Sequence, residues 1–333
     1  MDEKRRDTDY LFLTTRVRAL ECRLLDRDQR EHMLEAATAE EAAHILVDCG
    51  YPELETVTQE SVGDLLSRER ARTFQDFAGL VPDPAILEVF QVQNDYHNGK
   101  VLLKSEAMGT QADRLLVDTG RVPPEALADA LRGGELGDLP PLFAEALLEA
   151  RQVLATTKDP QLGDFTLDRY AFQELWDLAR RVGSPFLEGY VQRSIDTANL
   201  RTVVRVLRMG KGSEFLEGIL FEGGAMEVDR LLSSVNAGAM LEELYAATPL
   251  AQAAEAGAAA VRGGALTQFE KLCDDAVIHY IRDAQFVSFG AAPVVAYLAA
   301  KEAEIVAIRI IMTGRLAGLP TDVIRERLRE AYV

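Results

Sequence analysis

The chain has little of what enzymes and secreted proteins are usually built around. It holds three cysteines, four histidines and one tryptophan in 333 residues. Cys22, Cys49 and Cys273 are odd in number and far apart, which excludes a disulfide framework and a zinc-ligand spacing and fits reduced thiols. Basic residues are the scarcer sign: 36 Lys and Arg against 54 Asp and Glu, a net charge of −18. No Lys/Arg cluster outweighs its acidic neighbours, so neither nucleic acid nor anionic lipid is an expected partner. Long apolar runs are missing too. The longest, Val287 to Ala300, is about 14 residues, short of the ~18–20 needed to cross a bilayer. The charged start Met1-Asp2-Glu3-Lys4-Arg5-Arg6-Asp7 has no apolar segment behind it, so no signal peptide and a cytoplasmic location are expected. Alternating apolar and polar runs are absent, and the lone Asn98-Gly99 turn pair lacks flanking strand pattern.

What is present is helical periodicity. Apolar residues make up 48% of the chain and charged residues 27%, enough for patterned cores. Tyr10, Leu13, Val17, Leu20 and Leu24 recur at helical spacing with Arg16, Arg18 and Arg23 between them. A helix is expected from about Phe186, with Pro185 at its start, to Met209, where Gly210-Lys211-Gly212-Ser213 stops it. Another is expected from Pro293 to Gly314, and a last one from Pro320, with Asp322 in its first turn and Arg329 near its end. The fold class is all-α.

Internal similarity is the strongest organised feature. Asp95, Asn98 and Lys100, with the apolar run that follows, match Asp196, Asn199 and Arg201 at an offset of 101 residues. A third copy keeps Glu304 and Arg309 a further 108 residues on, with Ala307 where the amide stood. Flanking marks also recur. Leu20-Glu21, Leu167-Asp168 and Phe269-Glu270 each open a helical pattern. Asp113-Arg114-Leu115-Leu116 resembles Asp229-Arg230-Leu231-Leu232, and Thr119-Gly120-Arg121-Val122 resembles Thr313-Gly314-Arg315-Leu316. This suggests three pseudo-repeated helical units at 1–120, 121–225 and 226–333, the first enlarged by helices inserted around Gly50 to Val89. Acid and amide three residues apart share a helix face. Asp95 with Asn98, and Asp196 with Asn199, are therefore expected in packing networks, with Lys100, Arg201 and Arg309 as the alternative, partner-facing charges.

Catalytic and metal chemistry finds no footing. Glu41-Ala42-Ala43-His44 has the spacing of a di-metal carboxylate helix, but no second copy exists. Cys273 and His279 lack a ligand or nucleophile motif. Gly210-Lys211-Gly212-Ser213 has Arg205 where a phosphate loop needs glycine. Gly133, Gly134 and Gly137 follow no strand, and Trp176 fits a core cluster with Phe172 and Tyr170. No catalytic residue, cofactor or metal is expected.

The segment Asp196-x-x-Asn199-Leu200-Arg201-x-x-x-Arg205 resembles one in the C subunit of archaeal and bacterial V-type ATPases, known as the d subunit in the vacuolar enzyme. The stretch Ala296-Tyr297-Leu298-Ala299-Ala300-Lys301-Glu302-Ala303-Glu304-Ile305, with Ile308-Arg309-Ile310-Ile311-Met312-Thr313-Gly314-Arg315-Leu316, is the more specific match. The resemblance runs from Tyr10 to Val333, and Ala307 departs from the family's usual asparagine. It implies a three-fold pseudosymmetric, funnel-shaped helical protein at the inner face of a membrane, with no catalytic residues. It implies a rotor component whose partners are the central stalk of the ATPase head and the proteolipid ring, transmitting torque for H+ or Na+ translocation. The other reading of the residues is a helical-repeat adaptor unrelated to ion transport, and copurification with stalk and ring separates the two.

Overall fold

A computed structural model describes residues 5–110 and 113–333 of the chain; Met1 to Lys4 of the charged N-terminal run, and the side chain of Asp113, lie outside the described set. The described residues form helices and no strand. In chain order these are α1 (Leu11–Glu21), α2 (Arg27–Glu35), α3 (Ala39–Asp48), α4 (Gln59–Ala78), α5 (Ala85–Met108), α6 (Pro124–Gly133), α7 (Pro141–Thr157), α8 (Pro160–Val182), α9 (Pro185–Arg208), α10 (Ser213–Leu216), α11 (Val228–Asn236), α12 (Leu241–Tyr245), α13 (Ala251–Val261), α14 (Leu266–Arg282), α15 (Ala291–Leu316) and α16 (Thr321–Arg325). None is long and apolar enough to cross a membrane.

Local chemistry sets these boundaries. Helices α6, α7, α8 and α9 each open on a proline at the first helical position, where the missing N–H costs nothing. Ser184 caps α9 by accepting from Leu187 N, and Asp159 caps α8 by accepting from Gln161 N. Helices α5 and α8 end on Gly109 and Gly183 in the left-handed conformation. Two helix ends differ from expectation. The last helix, α16, stops at Arg325, which leaves Arg329 beyond it to pair with Asp274. Helix α15 runs through Gly314 to Leu316, because Gly314 packs against Ile324 of α16 and is a contact point instead of a stop.

The long helices carrying the signature residues are α5, α9 and α15. Helix α5 lies along α7 and α8, α9 along α13 and α14, and α15 along α3 and α4. The α-helix before each of α5, α9 and α15 is α4, α8 or α14 respectively. Asp168 and Glu270 sit on α8 and α14, whereas Glu21 ends α1, so Leu20-Glu21 is not the counterpart of the other two marks. Likewise Arg114-Leu115 lies in the loop after α5, ahead of the clamped Val117, while Asp229-Arg230 lies inside α11, beyond the clamped Met226. The Thr313-Gly314 pair is helical and the Thr119-Gly120 pair is not. Those flanking pairs therefore do not occupy equivalent positions in the fold.

Core packing divides each of two long helices between clusters. Leu187, Val191 and Ile195 of α9 belong to one large core; Leu200, Val203 and Val204 belong to a second, with α10 to α14. On α15, Val294 to Ala300 join the large core, and Ile305, Ile308 and Ile311 complete a third with α2, α3 and α4. The last turn of the chain crosses back over these elements. Arg329 Nε reaches Asp274 Oδ2 at 2.7 Å, and the Tyr332 hydroxyl donates to Glu21 Oε1 at 2.8 Å.

Candidate functional site

The acid–amide pairs grip backbone. On α5, Asn98 donates through Nδ2 to Val117 O at 2.7 Å and accepts at Oδ1 from Val117 N at 2.8 Å. One turn earlier, Asp95 accepts from Val122 N at 3.1 Å and from Arg121 Nε at 2.7 Å. An amide carries both a donor and an acceptor, so it satisfies both backbone groups of one residue; a carboxylate only accepts and takes the N–H five residues on. On α9 the same geometry recurs. Asn199 exchanges 2.8 Å bonds with Phe221 O and N, and Asp196 accepts from Met226 N at 3.1 Å. Both loops need glycine two residues before the last bond. A Cβ on Gly120 would lie 2.3 Å from Asp95 Oδ1, and one on Gly224 would lie 2.4 Å from Asp196 Oδ1.

The third acid does a related job elsewhere. Glu304 accepts from Leu25 N at 2.5 Å and from the Tyr51 hydroxyl at 2.6 Å. The loop it holds precedes α2 and comes from the start of the chain. The residue five before Leu25 is Leu20, inside α1, where its carbonyl already accepts from Arg23 N at 3.0 Å. An asparagine at 307 has no free backbone to serve there, and Ala307 is buried instead.

Charges around the three acids differ. Arg121 links Asp95 to Glu174, at 2.7 and 2.6 Å; burial opposes its charge, but Glu174 and then Asp95 outweigh that and hold it above the ordinary arginine value. Asp196 has no cation within 4 Å among the described residues, and burial pushes its carboxyl above the usual carboxylate range, against the pull of the Met226 and Ala225 N–H groups. Lys301 sits between Glu304 at 2.8 Å and Glu69 at 2.9 Å. Burial disfavours its ammonium, yet Glu304 and Glu69 raise it above the ordinary lysine value.

The basic signature residues do not behave alike. Lys100 reaches Asp168 at 2.5 Å, and Lys104 reaches Asp164 at 2.5 Å. Arg201 pairs with Asp274 at 2.5 Å and Glu270 at 2.7 Å, and Arg205 pairs with Glu270 at 2.7 Å. In both cases two cations one helical turn apart face acids four residues apart on the antiparallel neighbour. Those acids are functional partners that the sequence reading missed; the four-residue spacing on α8 and α14 was the available signal. Arg309 is exposed and has no ion pair among the described residues.

All three long helices line one cavity of about 540 Å³, with α8, α14 and Arg329 completing it. Its inner end is apolar and buried: Phe90, Leu175, Ile278, Ile281 and Ala299. Elsewhere in the lining Gln93, His97 and Val306 are exposed. Charge in the lining is balanced, Lys100, Arg201 and Arg329 against Asp168, Asp274 and Glu302. That neutrality is local, since the whole chain carries −18.

The other motifs stay apart from this cavity. His44 is exposed on α3. Burial pushes the Cys273 thiol up to about 12 and Cys49 up to about 11, the reverse of an activated nucleophile. Trp176 packs against Gly223 in the loop held by Asn199. Among the described residues, no group of three or more His, Cys, Asp or Glu side chains is placed to hold a metal ion.

Comparison with known proteins covers nearly the whole molecule. Residues 13–327 match the family model described as ATP synthase (C/AC39) subunit. The chain is 26% identical to the C subunit of the V-type sodium ATPase of Enterococcus hirae, over 97% of this chain and 99% of that one. It is 25% identical to the C subunit of the V-type ATP synthase of Thermus thermophilus, over 96% and 98%. Against the C subunit of the A-type ATP synthase of Methanocaldococcus jannaschii the identity is 23%, over 96% and 86%.

Proposed function

The chain belongs to the ATP synthase (C/AC39) subunit family, and from that premise we propose that it is the coupling piece of the rotor in a rotary ATPase. As a member of that family it is an accessory subunit and not an enzyme in itself. In our reading it sits between the central stalk of the ATPase head and the proteolipid ring, at the inner face of the membrane, and carries torque between them. The ion is H+ or Na+, a choice made elsewhere in the complex.

The observation that carries this reading is the cavity enclosed by α5, α9 and α15. A torque coupling needs a stiff socket and a second docking face, with no reactive centre. Stiffness is supported by the buried clamps on all three long helices and by the paired cations of α5 and α9. We read the units as α1–α5, α6–α10 and α11–α16, arranged as a pseudosymmetric ring, with boundaries kept at 120/121 and 225/226, inside the two clamped loops. In that arrangement α4 is the counterpart of α8 and α14 and is no insertion. The N-terminal unit closes the ring on α15.

A second face is supported by exposed apolar residues at the far end of α15. Phe12 is 69% exposed and Phe286 88%, with Leu11 and Phe289 beside them in sequence. Arg18 ties α1 to that loop by donating to Ala284 O at 2.8 Å and Val287 O at 2.7 Å. About 24 Å of helix separates Gly290 from Val306, at 1.5 Å per residue. We assign the socket to the stalk and the apolar end to the ring.

The test is coupled transport in a reconstituted complex. Without this chain, ATP hydrolysis by the head should persist while ion movement stops. Loss of neither, with normal assembly, would overturn the proposal. Stalk binding should also weaken with added salt, because charged residues line the socket.

A further inference from the structure

If the ring is pseudosymmetric, a stalk end entering it meets three backbone walls of the same kind, and a socket of equal walls accepts the stalk in three orientations. We propose that this cavity admits one orientation only, because its walls are chemically unequal at matched positions. The inference rests on the socket reading above and adds what sets the register.

The matched positions are read from the signature acids. Two residues before Asp95, Asp196 and Glu304 stand Gln93, Ser194 and Glu302; two residues after stand His97, Ala198 and Val306. All six line the cavity. At these two positions the α5 wall is polar and neutral, with hydrogen-bonding groups of both kinds. The α9 wall is small. The α15 wall sets an acid one helical turn from an apolar side chain, and Val306 is 42% exposed with no apolar cover. Glu302 is anchored to Arg70 at 2.8 Å, so its carboxylate is fixed in place.

These chemistries ask for different faces of one protein occupant. The α15 wall fits an apolar side chain flanked by a cation or an amide donor. Turned to the α5 wall, that apolar side chain would strip water from Gln93 without pairing it, while His97 Nε2 is already engaged by Leu115 O at 2.9 Å. The balanced lining, three cations against three acids, offers both signs of charge to a protein end. A stalk held in one register cannot slip by a third of a turn under load.

The experiment uses full-length chain and the purified central-stalk proteins of the same complex. In a Cys22→Ser background, Cys49 and Cys273 remain but are buried. Single cysteines are placed at Gln93→Cys, Ser194→Cys and Val306→Cys, and one cysteine is moved along the stalk end. Disulfide yield after mild oxidation is then measured. At any given stalk position, the proposal expects one wall to crosslink at least about tenfold over the other two, a preference corresponding to about 1.4 kcal/mol. Comparable yields on all three walls would overturn the single register while leaving the socket reading intact. No crosslink on any wall would overturn both. Two further variants at exposed positions guard against trivial folding effects. Val306→Gln should weaken stalk binding about tenfold and His97→Gln less than about twofold; equal effects would count against unequal walls.

Discussion

Asp95 and Glu304 hold the same kind of group, a backbone N–H at the entrance to a short helix, but the surroundings differ. Asp95 grips a loop that leaves its own helix, so clamp and loop are neighbours in the chain. Glu304 grips Leu25, 279 residues away, and needs Lys301, Tyr51 and Glu69 around it. The near clamp uses an amide to fix the start of the loop. The distant clamp has no use for one, because α1 already pairs its own backbone. Short and long routes to the same contact thus ask for different side chains, and the seam joining α15 to the N-terminal helices carries the more deeply buried cation.

The sharpest way to break this comparison is at the distant seam. Glu304→Ala leaves Leu25 N and the Tyr51 O–H without their acceptor and Lys301 with one acid fewer, and should destabilise the fold by about 3–5 kcal/mol, read as a lowered denaturant midpoint. Ala307→Asn comes next. If α1 removes the need for an amide, the new side chain is buried without a partner and costs about 1–3 kcal/mol; a stabilised protein would show that the explanation is wrong. Smaller still is the contrast between Asp95→Asn and Asp196→Asn. The first weakens a charge-assisted bond to Arg121 and should cost about 1.5–3 kcal/mol, while the second lacks such a cation and should cost about 1 kcal/mol or less.

The smallest effect is in pH dependence. Burial raises the Asp196 carboxyl in the folded chain above its ordinary 3.8. As pH rises past 3.8 the unfolded chain releases this proton first, so the wild type loses stability until the folded value is passed. Asp196→Asn has no such proton. Melting temperatures of the two proteins should therefore diverge in the variant's favour as pH climbs out of the acid range, and parallel curves would contradict the assignment.

Much of the architecture was legible because its signals are local. Helical spacing marked α9 and the last helices, and Pro185 and Gly210 marked the two ends of α9. The Asp-x-x-Asn spacing marked the clamps, since two side chains on one face report themselves in sequence. What they held was not legible: Val117, Val122, Phe221 and Met226 contribute backbone, which leaves no trace in residue type beyond Gly120 and Gly224. Arg121 and Glu174 were hidden by distance in the chain. The acids of α8 and α14 were visible in part, as Asp168 and Glu270, but an ion pair between antiparallel helices needs knowledge of which helices meet. The Leu20-Glu21 mark misled because any amphipathic helix end resembles another.

The third core has a consequence for how the protein is made. Helices α2, α3 and α4 are synthesised before Ile305, Ile308, Ile311 and Met312 of α15, which complete their core. The earlier segment therefore waits with its apolar side uncovered until α15 has emerged. Closing so long a loop carries an entropic cost that contacts among α2, α3 and α4 do not, so chaperone cover over that interval should raise the yield of folded chain.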